Sequence, residues 1–168
     1  FESDYLLGVH DFQRTGALRF KENPDGPFLN SNEDMSVPPI SALRELENAS
    51  LQLEKDNSSG NPKYMDWLNM LIAPGSSLGG ARPKAGVIDN NKQLWIAKFP
   101  SGKDNFDNGL WEMITNILAQ KAGLNTAKGM LKKLSENHTY LSKRFDRTES
   151  GKRVHFASAM TMLGYTDN

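Results

Sequence analysis

Residues 75–84, Gly75-Ser76-Ser77-Leu78-Gly79-Gly80-Ala81-Arg82-Pro83-Lys84, form a glycine- and serine-rich segment of a kind that can hold phosphate. Its backbone N–H groups are unshielded by large side chains, and Lys84 places a positive charge at its end. The segment is not a Walker A loop, which ends in Gly-Lys-Ser/Thr, because Pro83 precedes Lys84 and Ala85 follows it. It does not read G-x-G-x-x-G either. Without further context it is a glycine-rich connection between a helix and a hairpin, and most such loops are merely connections.

Lys98 is the second residue with chemical potential. It sits in the run Leu94-Trp95-Ile96-Ala97-Lys98-Phe99. In a strand it shares a face with Leu94 and Ile96. A lysine on such a face must reach solvent, pair with an acid or meet a ligand's charge. Glu112, fourteen positions on, is a candidate partner. Phosphoryl-transfer enzymes use a helix-borne carboxylate to aim a strand lysine at the α- and β-phosphates of ATP. The alternatives are a lysine reaching solvent at the strand end and a solvated glutamate.

Other chemistries are poorly supplied. The chain has no cysteine, which removes disulfides, thiolate catalysis and cysteine-bound zinc. His10, His138 and His155 lack metal-ligand spacing, so no metal ligand is assigned. Ser77 is followed by Leu78-Gly79-Gly80, not by the Gly-x-Ser-x-Gly elbow of a serine hydrolase. Twenty basic and twenty acidic residues give a net charge of zero, so there is no electrostatic footprint for nucleic acid or an anionic membrane. No apolar run approaches the roughly 18 residues of a membrane span. The chain opens on Phe1 without an initiator Met and is expected to be part of something longer.

The elements that must position these residues follow from periodicity and punctuation. Residues 5–20 read as two short strands around a turn, and 21–39 as loop. Ile40, Leu43, Leu46, Leu51 and Leu53 mark an amphipathic helix over 40–55, and 63–72 a short, heavily buried helix stopped by Pro74-Gly75. Ala85–Ile88 and Leu94–Phe99 form a hairpin around Asp89-Asn90-Asn91, residues that tolerate positive φ. Leu110, Ile114, Ile117 and Leu118 mark a helix over 106–122 capped by Gly123, with Glu112 on a different, mixed face beside Thr115, Asn116 and Ala119. A second hairpin is expected over 129–146, and a helix from Ala157. From residue 84 the order strand, strand, helix, strand, strand is that of an α+β fold on antiparallel hairpins.

Taken together, these segments resemble the HipA family of bacterial serine/threonine kinases, the toxins of type II toxin–antitoxin pairs. The resemblance is carried by Ser76 to Lys84, Trp95 to Pro100, Glu112 through Leu118 to Leu124, Leu141 to Arg147 and His155 to Ala159. It extends to Tyr5-Leu6-Leu7-Gly8 and Gly16 to Phe20. It implies an α+β chain with a small N-terminal α/β subdomain over 1–73, incomplete at its start. A kinase-like ATP-binding N-lobe follows over 74–168, with an antiparallel sheet and one long helix. Ser76, Ser77, Leu78, Gly79, Gly80, Ala81 and Lys84 would then form the phosphate loop, with Ser77 the site of inhibitory autophosphorylation. Lys98 would contact ATP phosphates and Glu112 would orient it. Lys143, Arg144 and Phe145 would present backbone to adenine, with Asp146 near the ribose.

The resemblance implies ATP and magnesium as cofactors, with the catalytic aspartate and the metal ligands beyond Asn168, so the piece alone is expected to be inactive. It also implies a protein substrate, a possible DNA-binding antitoxin of the HipB type and a cytoplasmic setting. The rivals are a non-catalytic, kinase-like interaction or antitoxin-type module, and a kinase acting on a small molecule or lipid.

Overall fold

In the computed structural model, residues 9–31, 37–55, 58–75 and 82–165 are described. Helix α1 spans Leu43–Leu53 and is led in by a 3-10 turn, Ile40–Ala42. Helix α2 spans Tyr64–Gly75. Strands β1 (Lys84–Ile88) and β2 (Leu94–Lys98) form a hairpin, α3 spans Asn108–Lys121, and β3 (Gly129–Lys133) and β4 (His138–Lys143) form a second hairpin. A short helix α4, Ala159–Leu163, follows. The four strands make one antiparallel sheet in the order β1-β2-β4-β3. The architecture is α+β.

Strand alternation divides the sheet into two faces. Ala85, Val87, Trp95, Ala97 and Leu141 point to one side, where with Phe99 they form a single core with Leu43 and Leu46 of α1. Leu71 of α2 and Met130 of β3 close its margin. Residues on both sides of position 73 therefore share one core. Burying such a set supplies on the order of 1.5–3 kcal/mol per large side chain, which is what holds α1 against the sheet. Glu47, almost fully buried in α1, takes a hydrogen bond from the Thr139 hydroxyl on β4. The burial of its carboxylate is thereby matched by a donor from the sheet.

The opposite face carries Lys98 and Tyr140, which are register partners, and receives α3. Two glycines make this contact close. A Cβ on Gly109 would lie 2.9 Å from the His138 carbonyl carbon, and one on Gly129 would lie 3.1 Å from Met113 Sδ. Asn116 Nδ2 completes the seam by donating to Ala127 O at 3.0 Å. Thus α3 meets the sheet through its mixed face, while Leu110, Trp111, Ile117 and Leu118 are exposed. Asp107 caps the helix by accepting from Leu110 N–H, and Gly123, at φ 81°, ends it.

Three expectations need correction. Over residues 9–20 the chain forms a 3-10 turn, Asp11–Gln13, and no strand. Buried arginines supply the partners for its backbone carbonyls, so this segment is satisfied without a ladder. Helix α2 is also less buried than its composition suggests, because Met65 and Met70 are exposed; a run apolar on all sides cannot turn every side inward against one sheet edge. In the first hairpin the positive φ falls on Lys92, at 61°, and not on Asp89, Asn90 or Asn91. Asp89 acts through its side chain, accepting from Asn91 N–H, Gln93 N–H and Trp95 Nε1.

Candidate functional site: a lysine–glutamate pair between sheet and helix

The central contact is an ion pair between Lys98 Nζ on β2 and Glu112 Oε1 on α3. The two side chains are 33% and 36% exposed, so the pair is within reach of a ligand from solvent. Its geometry follows from the elements. β2 turns Lys98 away from the Trp95/Ala97 core, and the glycine seam brings α3 near enough for Glu112 to meet it. Tyr140 lies beside them, with its ring centroid 5.7 Å from Lys98 Nζ. Burial and the nearby Glu112 charge raise the Tyr140 hydroxyl's pKa above its ordinary value.

Lys84 joins this face as the register partner of Lys98. Its Nζ donates to Arg82 O at 2.6 Å. Burial, then the charges of Lys98 and Arg82, lowers its pKa from the ordinary lysine value. Two ammonium groups therefore share one face of the sheet, where Glu112 pairs with that of Lys98. Such a surplus of positive charge suits a polyanion, and it was brought together from Lys84, Lys98 and Glu112, three residues that the sequence singles out. Ser76, Ser77, Leu78, Gly79, Gly80 and Ala81 lie outside the described residues.

The remaining expected residues stand apart from this cluster. Lys143 N–H bonds to Lys128 O and Arg144 N–H to Leu94 O, both at 2.9 Å, and the Lys143 ammonium pairs with Glu149. Phe145 is 64% exposed and packs edge-on against Phe156. Asp146 is buried, and its carboxylate is engaged elsewhere. Arg144 Nε and Nη2 reach its two oxygens at 2.8 and 2.6 Å, Arg147 Nη1 at 2.7 Å, and Gly16 N–H at 2.7 Å. Burial opposes ionisation of Asp146, but these hydrogen bonds and guanidinium charges outweigh it and hold its pKa below the ordinary value. A ribose contact would require this cluster to open.

That cluster was not foreseen. Arg144, Arg147 and Arg153 bind the carbonyls of Phe12, Gln13, Arg14 and Gly16, pinning the N-terminal segment to the chain beyond β4. Asp11 receives Arg19 and Arg153. The arginine-rich 144–153 stretch was a visible signal, but its backbone partners, some 130 residues away, were not. Also unforeseen was the pair at the start of α3, where Asp107 Oδ2 meets His138 Nδ1 at 2.5 Å.

Among the described residues no group of three or more His, Asp or Glu side chains is placed to hold a metal ion. No helix among them is long and apolar enough to cross a membrane. A cleft of about 410 Å³ lies elsewhere, bordered by Leu51, Ser101, Asp104, Phe106 and Asn137, and none of Lys84, Lys98 or Glu112 lines it.

In comparisons with known proteins, a family model described as the HipA-like C-terminal domain matches residues 76–168. No curated protein and no solved structure matches. The matched stretch contains the whole sheet, α3 and the Lys98–Glu112 pair, and it exceeds half of the sequence. The chain belongs to the HipA-like family.

Proposed function

We propose that this chain supplies the ATP-binding lobe of a HipA-type serine/threonine protein kinase. The observation that carries the proposal is the Lys98–Glu112 ion pair joining β2 to α3 beside Lys84. A lysine held this way is pre-aimed, so a polyphosphate meets a fixed charge and does not have to order a flexible one. Lys98 would contact the α- and β-phosphates, Lys84 and the 76–81 segment would hold the remaining phosphate oxygens, and Glu112 would keep Lys98 in place. The N–H groups of Lys143 and Arg144 are committed to the sheet, so adenine would be read by the next backbone group, at Phe145.

ATP supplies the γ-phosphate. Magnesium would accompany it, but no ligand for it is assigned among the described residues. Ser77 is the proposed site of inhibitory autophosphorylation; a phosphoserine there would compete with ATP for the same positive charge. The family relation supports a protein serine or threonine as acceptor, a HipB-type antitoxin as partner and a cytoplasmic setting. Thermal unfolding with and without MgATP tests the reading. Binding at 100 times Kd should add about 2.7 kcal/mol of stability, a readily measured rise in Tm. No rise at millimolar MgATP would refute nucleotide binding and favour an interaction module.

A further inference from the structure

A second set of contacts links α1 to the charged start of β1. After β2 the chain turns at Ser101–Asp104, with Asp104 N–H bonded to Ser101 O at 3.1 Å. Glu54, just past the end of α1, grips this turn by accepting from the Ser101 hydroxyl at 2.9 Å and Gly102 N–H at 2.7 Å. Asp104 in turn accepts from Ser101 N–H at 2.9 Å and takes both terminal nitrogens of Arg82, at 3.1 and 2.6 Å. Arg82 also reaches Phe99 O at 3.3 Å. Its backbone carbonyl is the acceptor for the Lys84 ammonium, and Pro83 O takes Phe99 N–H at 3.0 Å. An unbroken series therefore runs from Glu54 through the 101–104 turn and Arg82 to Lys84.

The Asp104–Arg82 link is stronger than an ordinary surface pair. The Asp104 side chain is 9% exposed, and the fork of the guanidinium meets both its oxygens. The Arg82 hydrogen bond is the chief cause that lowers the Asp104 pKa below its usual value. Lys84 is the register partner of Lys98 and feels its like charge, so its ammonium must be restrained against that repulsion. The Arg82 carbonyl provides that restraint only while the backbone at 82 is itself held.

We infer that Asp104 and Glu54 are positioning residues for the polyphosphate end of the site: they fix Arg82 and, through it, the direction of the Lys84 ammonium. Helix α1 then serves the nucleotide site, although it lies on the other face of the sheet. The inference rests on the ATP-binding reading above.

Calorimetric affinities of the purified protein for ATP and for adenosine, which lacks phosphate, test it, with amide hydrogen exchange over residues 84–86 as a nucleotide-independent readout. Asp104→Asn should weaken ATP about tenfold, leave adenosine within about twofold, and speed exchange over 84–86. Arg82→Lys keeps the charge without the fork and should act in the same direction. Glu54→Ala should do so more weakly. Equal loss for ATP and adenosine would mean a purely structural role and overturn the inference. Unchanged ATP affinity in a wild-type protein that binds ATP would overturn it while leaving the function standing. A wild-type protein that binds no ATP would overturn both.

Discussion

Replacing Gly109 with alanine sets two physical effects against each other. Helix propensity favours the change, by at most about 1 kcal/mol for a glycine-to-alanine substitution in a helix. Sterics oppose it. The added Cβ would stand 2.9 Å from the His138 carbonyl carbon and closer still to its oxygen, where ordinary contact begins near 3.4 Å. The obstacle is β4 backbone, which cannot rotate away as a side chain would. The oxygen is the limiting contact, so helix α3 must retreat by about an ångström or more, and overpacking of this kind costs about 1–3 kcal/mol. With backbone as the obstacle we take the upper end, for a net destabilisation of about 2 kcal/mol. The retreat also draws Glu112, one turn further along α3, away from Lys98. Urea unfolding followed by the fluorescence of buried Trp95 would measure the first effect and ATP titration the second. Gly60→Ala, with nothing within 4 Å of the new Cβ, serves as the control and should be nearly neutral. A Gly109→Ala protein as stable as wild type would refute the close helix–sheet seam on which the site depends.

Asp146→Asn should cost about 3 kcal/mol, because it leaves the buried guanidiniums of Arg144 and Arg147 without their charge partner. The same cluster predicts acid sensitivity. Asp146 and Asp11 both have folded pKa values below the ordinary 3.8, so their contribution is complete above that value and is lost as pH falls through the depressed ones. A urea series from pH 7 to pH 2 should show the loss beginning below about pH 4, and Asp146→Asn should flatten it. Asp107→Ala should cost about 1–2 kcal/mol by removing the cap of α3 and the acceptor of His138 N–H, measured by the same unfolding assay.

Much of the sheet and the central pair was legible because each rests on local pattern. Strand alternation puts Lys98 on one face with Leu94 and Ile96, the face the structure turns away from the Trp95/Ala97 core, and helical spacing puts Glu112 on the mixed face of α3 with Asn116. What periodicity could not decide was which face of α3 would meet the sheet, the apolar stripe of Leu110, Ile114, Ile117 and Leu118 or the mixed face that carries Glu112. Gly109 and Gly129 decided it by permitting a close backbone approach, a pairing of positions that no local window contains. The N-terminal segment failed for a related reason. The apolar clusters ending at Val9 and around Leu18 suggest strands, but the carbonyls of Phe12, Gln13, Arg14 and Gly16 are satisfied by arginines from the far end of the chain. The family resemblance implies a ribose contact for Asp146; that Arg144, two residues earlier, holds its carboxylate in the interior is not readable from local pattern.

The central claim is that Lys98, held by Glu112, is the phosphate-binding charge of this lobe. Calorimetric titration of ATP into wild-type and Lys98→Ala protein tests it most directly, with urea unfolding of both as the companion measurement. The pair is about one-third exposed, so its removal should change stability by no more than about 1 kcal/mol. ATP affinity should fall by about tenfold or more, since a charge-assisted phosphate contact is lost. Equal ATP affinity in the two proteins, both fully folded, would contradict the account.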